Sequence, residues 1–232
     1  MSTDRSSTTW RPRMPLAIVA AAAAAALAVA LPVADHADGH SEDAHAAQKG
    51  DMSAKHEALH DDMRKLWEDH ITWTRLFIVS AVADLPDLEA TTERLLRNQK
   101  HIGNAIKPYY GEAAGEQLTK LLTEHILVAA DLLGAAKAGD DDAVAKHSDR
   151  WYQNGNEIGD FLHSANPDNW HRGEMRSMMR EHLDLTLKEA VANLTNDHRT
   201  DVRAYNQIHR QILPMADMLS DGIAAQFPKR FR

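Results

Sequence analysis

Cysteine is absent from the 232 residues, so no disulfide, thiolate metal site or cysteine nucleophile is available. Aromatic residues make up only 6% of the chain, and the Val–Thr–aromatic alternation of half-buried strands is thin. A Gly-rich phosphate loop is missing, as are the G-x-S-x-G and S-x-x-K patterns of serine nucleophiles. No basic cluster interrupts the body of the chain, and the formal net charge is −8, which argues against nucleic acid as a partner. Catalysis therefore has no positive signal, and the chain is expected not to be an enzyme. What remains is rich in Ala, Leu, Glu, Arg and Met, the strong helix formers. Its length is ample for a core in one domain or two small ones.

The longest apolar run lies at the start. Arg5, Arg11 and Arg13 precede an unbroken stretch from Met14 to Leu31, the basic flank and apolar core of a secretory signal. Ala28-Val29-Ala30 offers a small-residue cleavage site before Leu31. The run is also near the ~17-residue minimum for a spanning helix, so an uncleaved anchor is the competing reading. Both readings export the body, to the periplasm or cell surface, because the arginines stay inside. Cleavage would leave 23 basic against 33 acidic residues, or −10. The expected organisation is a signal or anchor over 1–34, a His/Asp-rich linker over 35–54, and a helical domain over 55–232.

The linker region and the start of the body carry His36, His40, His45, His56 and His60 among acidic residues. Low hydrophobicity predicts a disordered tether, and such tracts capture divalent metals weakly. Glu57-Ala58-Leu59-His60 is an E-x-x-H, the spacing used in di-iron bundles. With no second copy in the body, a di-iron oxidase is not expected.

Pro and Gly punctuation predicts helices over 55–84, 88–107, 113–138, 140–164, 173–195 and 198–226. Asp87 and Asp140 are expected N-caps, and Pro214 should kink the last helix. Landmarks recur in alternate helices: Asp69-His70-Ile71, Glu124-His125-Ile126 and Glu181-His182-Leu183. In the partner helices, Ile102-Gly103-Asn104, Ile158-Gly159-Asp160 and Met215-Ala216-Asp217 keep the same period. The pattern predicts an all-α antiparallel bundle of five to six helices built from three related helical hairpins.

His70, His125 and His182 each have apolar residues three and four positions to either side, which turns all three inward. An inward imidazole needs partners, because an unpaired buried polar group costs about 1–3 kcal/mol. At three-residue steps the partner helices offer Asn98, His101 and Asn104, then Asn154, Glu157 and Asp160, then Gln211, Pro214 and Asp217. Converging imidazole and carboxylate would bind zinc, copper, iron or nickel rather than calcium. His70, His125, His182, Glu157, Asp160 and Asp217 are then the expected ligands, with Asn98, His101, Asn104, Asn154 and Gln211 as a supporting polar network. Met175, Met178, Met179, Met215 and Met218 would add soft thioethers. The alternative is a core hydrogen-bond network that binds no ion. Trp67, Trp73, Trp151, Trp170, Tyr109 and Tyr110 read as core or hairpin-end packing.

The runs Leu66-Trp67-Glu68-Asp69-His70-Ile71-Thr72-Trp73-Thr74-Arg75, Ile102-Gly103-Asn104-Ala105-Ile106-Lys107-Pro108, Met179-Arg180-Glu181-His182-Leu183 and Met215-Ala216-Asp217-Met218-Leu219 to Gln226-Phe227-Pro228 carry a resemblance. Together they resemble an uncharacterised bacterial family of exported or membrane-anchored helical-bundle proteins, over roughly residues 66–231. Members often carry transferred labels such as glycosyltransferase or acetylglutamate kinase. Those labels fit no residue here, since the chain has neither a nucleotide-binding loop nor α/β alternation. The resemblance implies a compartment and a helical fold more than an activity. Its members often carry His where this chain has Pro214, which weakens a third-repeat ligand at that position.

Two functional expectations follow. One is a non-catalytic extracytoplasmic protein that binds a transition metal for storage, buffering or sensing. The other is a structural or partner-binding bundle at the membrane surface, reaching the membrane through the N-terminal segment if that segment is uncleaved.

Overall fold

A computed structural model describes residues 54–231. The expected signal or anchor, and the linker with His36, His40 and His45, lie outside the described residues. Six helices fill almost all of the described chain: α1 Ala54–Ala83, α2 Leu88–Tyr110, α3 Glu112–Ala138, α4 Asp141–Ala165, α5 Arg172–Leu194 and α6 His198–Gln226. A 3-10 turn, Pro228–Arg230, follows. The all-α bundle expected from the sequence is the fold, with six helices. None of the described helices is long and apolar enough to cross a membrane.

The helix ends follow local chemistry. Gly139 closes α3 in the left-handed region at φ 73°, where the missing Cβ removes the steric penalty. The Asp140 carboxylate accepts from Ala143 N at 3.0 Å and opens α4. Asp197 does the same for α6, accepting from Thr200 N at 3.0 Å. Asp87 precedes α2, but its side chain makes no cap bond; its backbone carbonyl takes the Thr91 N–H instead. Two prolines sit inside helices. Pro108 falls in the last turn of α2, which ends two residues later, and α6 continues through Pro214.

Each helix packs on its neighbours in sequence, and α6 returns to α1, closing a ring. Across the interior, α1 also meets α3 and α5. Close approach of α2 and α3 depends on small residues: a Cβ on Gly103 would fall 2.5 Å from the Gly115 carbonyl oxygen. The main core gathers Met63, Trp67, Ile102, Leu122, Ile158 and Ile212, and a smaller cluster forms around Phe77, Leu95 and Leu133. Trp67, Trp151 and Trp170 are buried, Trp73, Tyr109 and Tyr110 partly so. Met175, Met179 and Met215 belong to the core, with Met178 and Met218 at its margin.

The α1–α6 seam is antiparallel in constant register. His56 faces Asp221 at 3.0 Å, His60 faces Asp217 at 2.8 Å, Glu68 faces His209 at 2.9 Å, and Thr72 faces Tyr205 at 3.3 Å. Each advance of a whole number of turns along α1 is matched by an equal retreat along α6.

Candidate functional site

The three inward histidines are where the apolar spacing puts them. His70, His125 and His182 are buried, at 3–4% exposure. The His70 and His182 ring centroids are 5.6 Å apart. Trp67 meets His70 edge-on, and Trp151 stacks on His125.

Every ring uses Nδ1 toward the next helix. His70 Nδ1 meets Gln99 Nε2 at 3.3 Å, His125 Nδ1 meets Asn154 Oδ1 at 2.9 Å, and His182 Nδ1 meets Gln211 Oε1 at 3.2 Å. The separation in sequence is 29 residues each time. A second bond ties the same helices together at the carbonyl one turn before each histidine. Asn98 donates to Leu66 O at 3.0 Å, Asn154 to Leu121 O at 3.1 Å, and Gln211 to Met178 O at 3.3 Å. One amide does both jobs in the second and third hairpins; adjacent residues divide them in the first.

These bonds assign the tautomers. Donation to Leu121 O orients the Asn154 amide, so its oxygen faces His125 and Nδ1–H donates. Gln211 is oriented in the same way toward His182. Gln99 differs: one Nε2 hydrogen goes to Leu95 O at 2.8 Å, and the other is shared between Asn98 Oδ1 and His70 Nδ1, each at 3.3 Å. His70 Nδ1 therefore accepts, and Nε2 carries its proton. Among the described residues no Nε2 of the three rings finds a hydrogen-bond partner, nor does the buried Gln99 Oε1.

Burial, then the neighbouring His182 and His125, hold His70 well below its ordinary value. Burial, then His182, brings His125 down to about 4, and burial brings His182 to about 4. All three rings are neutral at pH 7.

The expected carboxylate ligands do not join them. Asp160 takes a bidentate pair from Arg176 at 2.8 and 2.5 Å. Asp217 takes another from Arg64 at 2.6 and 2.7 Å, together with His60. Glu157 accepts from Arg150 at 3.1 Å and from Gln153 at 2.9 Å. His101 and Asn104, expected on the inner face of α2, are exposed. One reason covers all these displacements. At about 100° per residue a three-residue step lags a full turn by about 60°, so two steps carry a side chain about 120° off the face. Asn98, Asn154 and Gln211 stay near the layer, while Asn104, Asp160 and Asp217 rotate out of it.

Three features escaped the sequence reading. Gln99 partners His70, and the 29-residue offset that Asn154 and Gln211 keep from their histidines points to it. A second buried polar group joins α1, α5 and α6. Arg75 donates to Glu189 at 2.5 Å and to both oxygens of Asp201 at 2.7 Å, and Asn193 adds 2.7 Å to Asp201. Burial raises the Glu189 carboxyl to about 7 despite Arg75. Third, His56-Glu57-Ala58-Leu59-His60 is a full H-E-x-x-H, a spacing the sequence reading took to be absent after reading only its E-x-x-H half. His56 and His60 lie on the first turns of α1, facing α6.

Among the described residues no three His, Asp or Glu side chains are grouped so as to hold a metal ion as they stand. No protein-family model matches the chain, and no curated protein or solved structure matches it.

Proposed function

We propose that this is an exported, non-catalytic six-helix bundle that presents a rigid helical surface to a partner at the membrane. In this reading the His–amide layer fixes helix register, and three related hairpins repeat one hydrogen-bonding unit. The observation that carries it is the Gln99 amide turned nitrogen-first toward His70 Nδ1, from which the His70 tautomer follows. A ligating Nε2 needs its lone pair, yet the His70 Nε2 holds the proton because Gln99 donates to Nδ1. Moving that proton would set N–H against N–H. A divalent ion among the three rings would also sit in a buried layer whose nearby carboxylates are engaged by arginine, an expensive place for a charge.

A second reading makes the layer a transition-metal site for zinc, copper or iron, serving storage, buffering or sensing. The bare Nε2 atoms of His125 and His182 favour it. Elemental analysis of the full chain, purified without a tag from metal-replete cells, separates the two when His125→Gln and His182→Gln variants are run beside it. Metal content unaffected by these variants supports the register layer. One stoichiometric ion lost in both variants overturns it.

A further inference from the structure

The seam between α1 and α6 brings together the imidazoles and carboxylates that the buried layer keeps apart. His56 and His60 stand one turn apart on α1, and Asp217 and Asp221 one turn apart on α6. Each imidazole Nε2 lies against a carboxylate oxygen, at 3.0 Å for His56–Asp221 and 2.8 Å for His60–Asp217. The histidine side chains are 16% and 17% exposed, and those of Asp217 and Asp221 are 27% and 61% exposed. Asp217 and Asp221 also line an open groove on α6, beside Pro214 and Gly222, so solvent reaches the carboxylates directly.

We propose that this seam binds one divalent transition ion of the zinc class, through His56, His60 and the facing carboxylates of Asp217 and Asp221. Two histidines at i and i+4 on one helix face converge on a single ion, which is the mechanical content of an H-E-x-x-H run. Imidazole with carboxylate suits zinc, nickel or copper(II) and disfavours magnesium and calcium. The two carboxylates offset the charge, which the buried layer does not do. Little must move. Zinc bonds of about 2.0–2.1 Å in tetrahedral array hold two ligand atoms about 3.3 Å apart, so each observed N···O gap opens by about 0.3–0.5 Å. The competitor is Arg64, which grips both Asp217 oxygens. Entry of the ion releases that guanidinium, which is 42% exposed and returns to water. The site goes beyond the register reading and does not depend on it.

The test is calorimetric zinc titration of the full chain carrying His36→Ala, His40→Ala and His45→Ala, which removes the other histidines expected to capture metal. One zinc per chain is expected with a micromolar or tighter Kd, undiminished by millimolar magnesium. His56→Ala and His60→Ala should each weaken it at least tenfold, and Asp221→Asn should weaken it severalfold. Arg64→Gln should tighten it by freeing Asp217, while His209→Ala, farther along the same seam, should leave it unchanged. Each variant is checked by circular dichroism, because His56 and His60 are only 16% and 17% exposed, and the spectrum should stay that of the parent. Absence of saturable binding, or full affinity retained in His56→Ala and His60→Ala, overturns the proposal. So does an Arg64→Gln variant that loses affinity as His60→Ala does.

Discussion

His125 and His60 each present a ring nitrogen to the next helix at nearly the same distance, 2.9 Å to an Asn154 oxygen and 2.8 Å to an Asp217 oxygen. The partners differ in charge, and the rings differ in burial. In the layer a neutral amide fixes a neutral imidazole, and the low local dielectric keeps the proton count constant. At the seam a carboxylate faces an imidazole that water reaches, so charge is screened and ligands can exchange. One residue type thus occupies two settings, sealed against a neutral amide in one and reached by water against a carboxylate in the other.

The largest effect should come from breaking an amide in the layer. Asn154→Leu strands the His125 Nδ1–H and the Leu121 carbonyl together, for a cost of about 2–4 kcal/mol in chemical denaturation. The double variant His125→Phe/Asn154→Leu replaces both side chains and should cost clearly less than the sum of the singles. Additive losses would mean that the pair is not coupled.

The next contrast is in pH. A buried histidine held at about 4 contributes stability that is fully present above its ordinary value of 6.5 and is lost as pH falls toward 4. His70 is depressed in the same direction. Urea midpoints should therefore drop through this window, with proton uptake on unfolding above one per chain. Glu189 has the opposite sign. Its carboxyl is raised from 4.5 to about 7, so its contribution falls as pH rises through that range. Glu189→Gln should raise Tm at pH 8 and leave it nearly unchanged at pH 4.5. Equal shifts at both pH values would contradict the assignment.

The smallest effect belongs to the seam. His209 and Glu68 are 43% and 46% exposed, and His209→Ala should cost under about 1 kcal/mol. A loss as large as that of Asn154→Leu would erase the contrast between the two regions.

The fold was legible because helix signals are local. Gly139, Asp140 and Pro167 punctuate long amphipathic stretches, and the three- and four-residue neighbours of His70, His125 and His182 fix their inward face. The partners were harder to read. A three-residue spacing drifts about 60° off a helix face at each step, which exposes His101 after one and turns Asp160 and Asp217 to arginine after two. Arg64 and Arg75 meet their carboxylates across 153 and 126 residues, and no local pattern signals such a pairing. The His56–His60 spacing stood in the sequence and was passed over, and only the closure of α6 onto α1 brings Asp217 and Asp221 opposite it.

Long-range nitrogen–proton spectra of the histidine rings, recorded on the full chain at pH 7 with and without one equivalent of zinc, test the division most directly. Neutral rings are expected in the layer, protonated on Nδ1 in His125 and His182 and on Nε2 in His70, all unmoved by zinc, while His56 and His60 shift. Zinc-dependent shifts at His125 and His182, or a His70 ring protonated on Nδ1, would contradict it.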